Sequence, residues 1–342
     1  MQNDLRSKRK VTIRDVAKAA NVSVTTVSFA LSGVGRPVKD ETRRMILEIA
    51  DDLGYRPSPL AKSMRGKALG QIGIVLNQGD DDLLVNSYFG RMVLACVVEA
   101  SLAGLHALVI VRHPGEEDRF LSTVRESRAD GYVLAAPRRD DPVVEQLHRE
   151  QVPMVSIAGP RIGIPRIGLD NRRAMDELAE ELRRLGHQRP VYLAGDLDQQ
   201  DAVDRLTQFR AHAGDDWIRA TFADQSELLD AALFELETRL RGPRPPTVVV
   251  CANDNLALHV CALIKRMRLT IPDDVSVVGF DDAPSAGIVT PSLTTYRQPV
   301  AELGRTGVRH LVSLLNGEAT VDLDLSGHWL WRDSVAAAPG SP

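Results

Sequence analysis

The chain has 342 residues, 42 basic against 46 acidic (formal net charge −4), with 44% hydrophobic and only 4% aromatic residues. Nothing in it resembles a signal peptide or a 20-residue membrane span, and the small overall charge hides a sharp split along the chain. Three isolated cysteines (Cys96, Cys251 and Cys261) match no zinc spacing and read as buried reduced thiols, and the eight histidines show no metal-binding pattern.

The first elements in the chain are short helices. Thr12 followed by Asp15 is a capping-box-like start, and Ile13, Val16, Ala17 and Ala20 fall on one helical face. Asn21-Val22 breaks that helix, because Asn tolerates turn conformations that β-branched residues avoid. Ser23 can cap a second helix in which Val24, Val27 and Leu31 are spaced for burial or close contact. Thr25, Thr26, Ser28 and Phe29 are left on the remaining surface, where small hydroxyls suit base edges and phosphates. An ordinary helical hairpin is the competing reading. A third helix is expected over 40–53, with Ile46, Ile49, Ala50 and Leu53 as its apolar stripe and Gly54 as its stop.

Charge separates this head from the rest. Residues 1–67 hold 14 basic and 7 acidic residues, or +7, which leaves 28 and 39, or −11, for residues 68–342. A basic head on an acidic body is the footprint of a nucleic-acid reader joined to something that does not itself bind nucleic acid. Between them, Ser58-Pro59 and Gly66 bracket about seven residues with helix start and stop signals. So short a helix is marginal alone, and it should order only against a partner.

In the body, apolar runs alternate with amphipathic stretches, the pattern of βα units and parallel sheets. Strands are expected at 72–76, 107–111, 131–135, 154–157, 191–194, 247–251 and 275–280, with a last one over 329–334. Helices are expected at 89–103, 118–128, 143–150, 174–185, 202–213, 226–241, 256–268 and 300–315. Two successive sets of units, divided near 168–171, point to two doubly wound α/β lobes. A single (β/α)₈ barrel is the alternative. Ligands bind beyond the carboxyl ends of such strands, so the cleft between the lobes is the expected pocket.

From Val11 to about Ser334 the chain resembles the LacI/GalR family of bacterial repressors. Val11–Leu31 resembles the family's DNA-binding helices and Pro57–Lys67 its hinge helix. Met64 stands where the family places an apolar side chain, usually Leu, in the DNA minor groove. The resemblance implies a head over 1–56, a hinge helix over 57–67, and a ligand-binding and dimerisation domain over 68–342. Its first lobe would span about 68–167 and 295–325, its second about 168–294 and 326–335, like the lobes of periplasmic sugar-binding proteins. The DNA-contacting set is then Thr12, Ser23, Val24, Thr25, Thr26, Ser28, Phe29 and Met64.

The same resemblance places Arg205, Asn253, Asp281 and Gln298 around the effector, with Phe222 as an aromatic face. Ala158 stands where many sugar-responsive members carry Asp. Asn253 and Asp281 could instead cap helices or turns, and Arg205 could make a helix-surface salt bridge. His187 reads as a helix-end residue, not a catalyst.

The implied protein is a ligand-responsive repressor without cofactors. It would act in the cytoplasm as a homodimer on near-palindromic double-stranded operator DNA, with no membrane role, and its small effector would be a sugar or sugar derivative. Two other classes compete: an exported two-lobed solute-binding protein, and a sugar-metabolising enzyme with a helical extension. The first lacks a signal peptide here, and the second lacks a nucleophile elbow, a phosphate loop or a dinucleotide fingerprint. The basic head speaks against both.

Overall fold

A computed structural model describes residues 11–32, 38–55, 68–76, 87–113, 115–126, 128–220 and 226–340. It divides the chain into two units, Met1–Leu69 and Gly70–Pro342. The expected hinge helix over 57–67 with Met64, and also Phe222, lie outside the described residues.

The first unit holds α1 (Ile13–Ala19), α2 (Val24–Ser32) and α3 (Asp40–Asp52). The Asp15 carboxylate accepts from the backbone N–H of Thr12 at 2.8 Å and from its hydroxyl at 2.7 Å. Asn21 turns the chain with φ +50°, and the Ser23 hydroxyl oxygen accepts the Thr26 N–H at 3.0 Å to cap α2. Val16, Ala17, Ala20, Val27, Ala30, Ile46, Ala50 and Tyr55 form the core.

Two expectations need correction. Ser28 is buried rather than on the surface, because α2 is wedged between α1 and α3 and so hides a wider face than one stripe. Leu53 is exposed because it lies just past the last turn of α3. Val24, spaced for burial or close contact, is exposed in the first turn of α2.

The second unit contains two open parallel sheets, which excludes the closed barrel. The first has six strands in the order β11-β5-β4-β3-β1-β2. These are β1 (Gln71–Leu76), β2 (His106–Val111), β3 (Gly131–Ala135), β4 (Met154–Ile157), β5 (Arg166–Leu169) and β11 (Leu323–Leu325). The helices α4 (Ser87–Leu102) and α11 (Val300–Leu315) cover one face; α5 (Glu117–Arg125) and α6 (Pro142–Arg149) cover the other.

The second sheet runs β7-β6-β8-β9, from β6 (Pro190–Ala194), β7 (Trp217–Arg219), β8 (Val248–Cys251) and β9 (Ser276–Val278). Its faces carry α7 (Asn171–Arg184) with α8 (Gln200–Ala213), and α9 (Glu227–Leu240) with α10 (Asp254–Arg266). Burial on both faces is why these strands read as unbroken apolar runs.

The chain leaves the first sheet after Leu169 and returns after β10 (Thr295–Arg297). It leaves again after Leu325 to form β12 (His328–Leu330), which pairs antiparallel with β10. The last strand is therefore shorter than 329–334. Beyond Leu330 the chain turns inward, and the Ser334 hydroxyl donates to the Val277 carbonyl instead. β9 likewise stops at Val278, and the Gly279 N–H donates to Thr294. Cys96 and Cys251 are buried thiols, but Cys261 is only half-buried, packed against the core of the second sheet.

Candidate effector cleft and DNA-facing helix

A cleft opens in the second unit at the carboxyl ends of β3, β4, β8 and β9. It is lined by Tyr88, Phe89, Ala136, Ala158, Gln199, Asp201, Arg205, Ala252, Asn253, Asp281 and Gln298. The two sheets contribute opposite walls. Four of the expected effector residues, Arg205, Asn253, Asp281 and Gln298, thus meet in one place.

Each is held by a specific local structure. Arg205 lies on α8, fully enclosed: one guanidinium nitrogen donates to the Asn171 side-chain oxygen at 3.1 Å, and its carbon sits 4.5 Å above the Phe280 ring. The surface salt bridge that competed for it is excluded. Asp281 adopts φ +110°; its N–H donates to the Tyr296 carbonyl, and its carboxylate accepts from the Gln298 amide at 2.5 Å. Asn253 is the N-cap of α10, its side-chain oxygen accepting the Leu256 N–H at 2.9 Å. The capping role weighed against a ligand role is therefore real, and it also fixes Asn253 against the cleft.

Electrostatics set the cleft apart. Burial pushes the Asp281 carboxyl up to about 7, reinforced by the nearby Asp254 and opposed by Arg205. Burial likewise raises Asp254 to about 7, against the hydrogen bonds it accepts from Thr295 and Ala283. Asp201, one helical turn before Arg205, is lifted by burial to about 6, with Arg205 and Arg166 pulling the other way. Ala136, Ala158 and Asp281 all take positive φ, at +45°, +57° and +110°. Such strain in non-glycine residues gathers at ligand clamps and switch regions.

Two buried polar atoms in this cleft lack a hydrogen-bond partner: Arg205 Nε, a donor, and Gln298 Oε1, an acceptor. A buried polar group left unpaired costs about 1–3 kcal/mol.

Sequence reasoning missed Asp201, Tyr88 and Phe89. The signal for Asp201 was available in its i, i+4 spacing to Arg205. The edge-to-face pair Tyr88–Phe89, with centroids 5.3 Å apart, comes from the other sheet's helix and has no local signature. His187 lies elsewhere, buried between Thr247 and the Ala336 carbonyl, and burial lowers its pKa.

In the first unit, Thr12, Ser23, Val24 and Thr25 are exposed, and Thr26 and Phe29 are half-buried at the rim of α2. Among the described residues, no helix is long and apolar enough to cross a membrane, and no cluster of His, Cys, Asp and Glu could hold a metal ion.

A head with three helices among its described residues, joined to a body with two parallel sheets and a polar cleft, defines a DNA-binding regulator carrying a ligand-binding domain. Residues 12–58 match the bacterial regulatory proteins of the lacI family, and residues 179–335 match the periplasmic binding protein-like domain. The chain is 30% identical to the ribose operon repressor of Halalkalibacterium halodurans over 88% of its own length and 89% of that protein.

The solved structure of the Lac repressor dimer bound to operator and the anti-inducer ONPF superposes with a TM-score of 0.79. It is 26% identical and covers 96% of this chain and 100% of that one. A transcriptional regulator CelR–cellobiose complex gives a TM-score of 0.70 at 27% identity, covering 95% and 100%. The chain belongs to the lacI family of bacterial regulatory proteins. It is a ligand-responsive, DNA-binding transcriptional repressor, not an enzyme.

Proposed function

We propose that the protein acts in the cytoplasm as a homodimer on a near-palindromic operator, and that a small sugar or sugar derivative in the cleft controls its affinity for DNA. The head would comprise residues 1–56, the hinge 57–67 and the effector-binding body 68–342. A dimer follows from the need to read two half-sites, and the Lac repressor on its operator is one. Thr12, Ser23, Val24, Thr25, Thr26 and Phe29 would face the DNA from the head, with Met64 as a minor-groove wedge. Ser28, being buried, would serve packing.

The observation that carries the sugar reading is the unpaired donor of Arg205 in the same cleft as the unpaired acceptor of Gln298. A hydroxyl group both donates and accepts, so vicinal hydroxyls would satisfy both atoms and use Asp281 and Asn253 as further partners. The neighbour CelR holds such a molecule, cellobiose. The experiment is calorimetric titration of a saccharide panel into wild type, Arg205→Ala and Asp281→Asn. Binding by wild type should fall at least about 100-fold in each variant, the scale of losing a charged hydrogen-bonding partner. Undiminished binding in both variants would move the effector elsewhere.

A further inference from the structure

Arg166 carries a buried charge at the boundary between the two sheets. It lies on β5 of the first sheet and is 2% exposed. Its Nε–H donates to the Gly159 carbonyl at 2.6 Å, one terminal nitrogen pairs with Asp324 on β11, and its backbone N–H donates to the Asp322 carboxylate at 3.0 Å. Gly168 leaves the room it needs, since an added Cβ there would lie 2.1 Å from a guanidinium nitrogen. Arg166 is thus pinned to its own sheet. Its other terminal nitrogen reaches the Asp201 carboxylate, on α8 of the second sheet, at 3.5 Å. Among the ion pairs of the described residues, this is the one that joins the two sheets.

That contact is loose beside the 2.6 Å bond to Gly159, so a small movement of one sheet against the other makes or breaks it. Asp201 is buried, and charged or polar groups face it from several elements: Arg205 and Asp204 from α8 itself, Asn171 from α7, Tyr88 from α4 and Arg166 from β5. Asp281 lines the same cleft. Burial favours the neutral carboxyl, and the two arginines favour the charged one. Once the sheets part, water reaches Asp201 and the carboxyl ionises at its ordinary low pH.

We infer that Arg166 is a positioning residue of the switch: pinned to the first sheet, it fixes the charge state of Asp201 on the second, and through this pair the closeness of the sheets, and with it operator affinity, responds to acidity. Acid favours the sheets together, because only there is the carboxyl buried and its proton held more tightly. The inference rests on the reading that the cleft governs DNA binding.

All eight histidines lie in the body, so no side chain of residues 1–67 ordinarily titrates between pH 5 and 8. The test is fluorescence-anisotropy titration of the full-length protein, without added effector, against a rhodamine-labelled operator selected from a random duplex library, across that range. Wild type should change its affinity by about fivefold or more in a step near pH 6, fivefold being the low end of couplings between sites. Asp201→Asn, nearly isosteric, should lack this step and keep any step near pH 7 that comes from Asp281 and Asp254. Arg166→Met should move the step to higher pH, and Arg166→Lys, which keeps the positive charge, should bring it back. Asp201→Asn decides the matter alone should Arg166→Met fail to fold. A step that survives in Asp201→Asn, or stays in place in a folded Arg166→Met, overturns the inference. So does a wild-type affinity that is flat near pH 6 yet shifts when a saccharide of the panel above is added, and the cleft reading then stands. Affinity that responds to neither acid nor any saccharide overturns both.

Discussion

At Arg205 and Asp281 the fold holds charge where water is scarce, and each is arranged for a ligand. Arg205 is stacked over Phe280 and bonded to Asn171, yet one N–H is left unused. Asp281 is held by a left-handed backbone and the Gln298 amide, with its carboxyl raised to about 7. An unfolded Asp titrates near 3.9, so between about pH 4 and 7 the native protein keeps protons that the unfolded chain releases. Asp281 and Asp254 therefore make the body less stable as pH rises through that window, with the loss complete above pH 7. Thermal melting of ligand-free protein from pH 6 to 8 should show this fall, and Asp281→Asn should flatten it. An unchanged slope in that variant would contradict the assignment. Ligand binding should run the opposite way: hydroxyls donate to the ionised carboxylate, so effector affinity measured by calorimetry should increase from pH 6 to 8.

Among the elements, caps and close helix contacts set the stability. The Ser23 oxygen that accepts the Thr26 N–H caps α2, and losing an N-cap of this kind costs about 1 kcal/mol. Ser23→Ala should lower the stability of the head by that amount in a urea melt, and an equal melt would remove the cap from the account. In the body, α11 crosses α4 at Gly304, where an added Cβ would lie 2.7 Å from the Met92 carbonyl oxygen and 3.0 Å from the Ala95 Cβ. Gly304→Ala should destabilise the body by about 1–3 kcal/mol, the usual range for overpacking, visible as a lower urea midpoint at an unchanged slope.

The helices and central strands were legible because their apolar periodicity is long and their punctuation clear. Thr12, Asn21, Gly54 and Asp170 stand where the chain starts or turns. The strands β5, β7, β10 and β11 were not legible. Each has only three or four residues, and backbone pairing to a neighbour, which leaves no side-chain pattern, makes it a strand. Ser28 was misplaced for a related reason: a helix packed on two sides buries residues that a one-stripe reading assigns to the surface.

The whole molecule joins a DNA-binding head to a body in which residues of two parallel sheets line one polar cleft. The proposed effector residues were readable only through resemblance, since Arg205, Asn253, Asp281 and Gln298 come from separate segments and meet only in the fold. On the DNA side, Thr25→Ala and Phe29→Ala should change the ranking of operator variants in a binding selection if, as proposed, the exposed Thr25 and half-buried Phe29 of α2 read bases while basic residues meet phosphates. An unaltered ranking would mean that another element reads the sequence.

Occupancy of the cleft is expected to set operator affinity. Couplings of this kind typically amount to about 5–150-fold. The direct measurement is fluorescence-anisotropy titration of labelled operator with the full-length protein, with and without saturating effector, for wild type and Arg205→Ala. The predicted result is a shift within that range for wild type, equal ligand-free affinity for the variant, and no shift when effector is added to the variant. A variant that responds as fully as wild type would show that the cleft around Arg205 does not control operator binding.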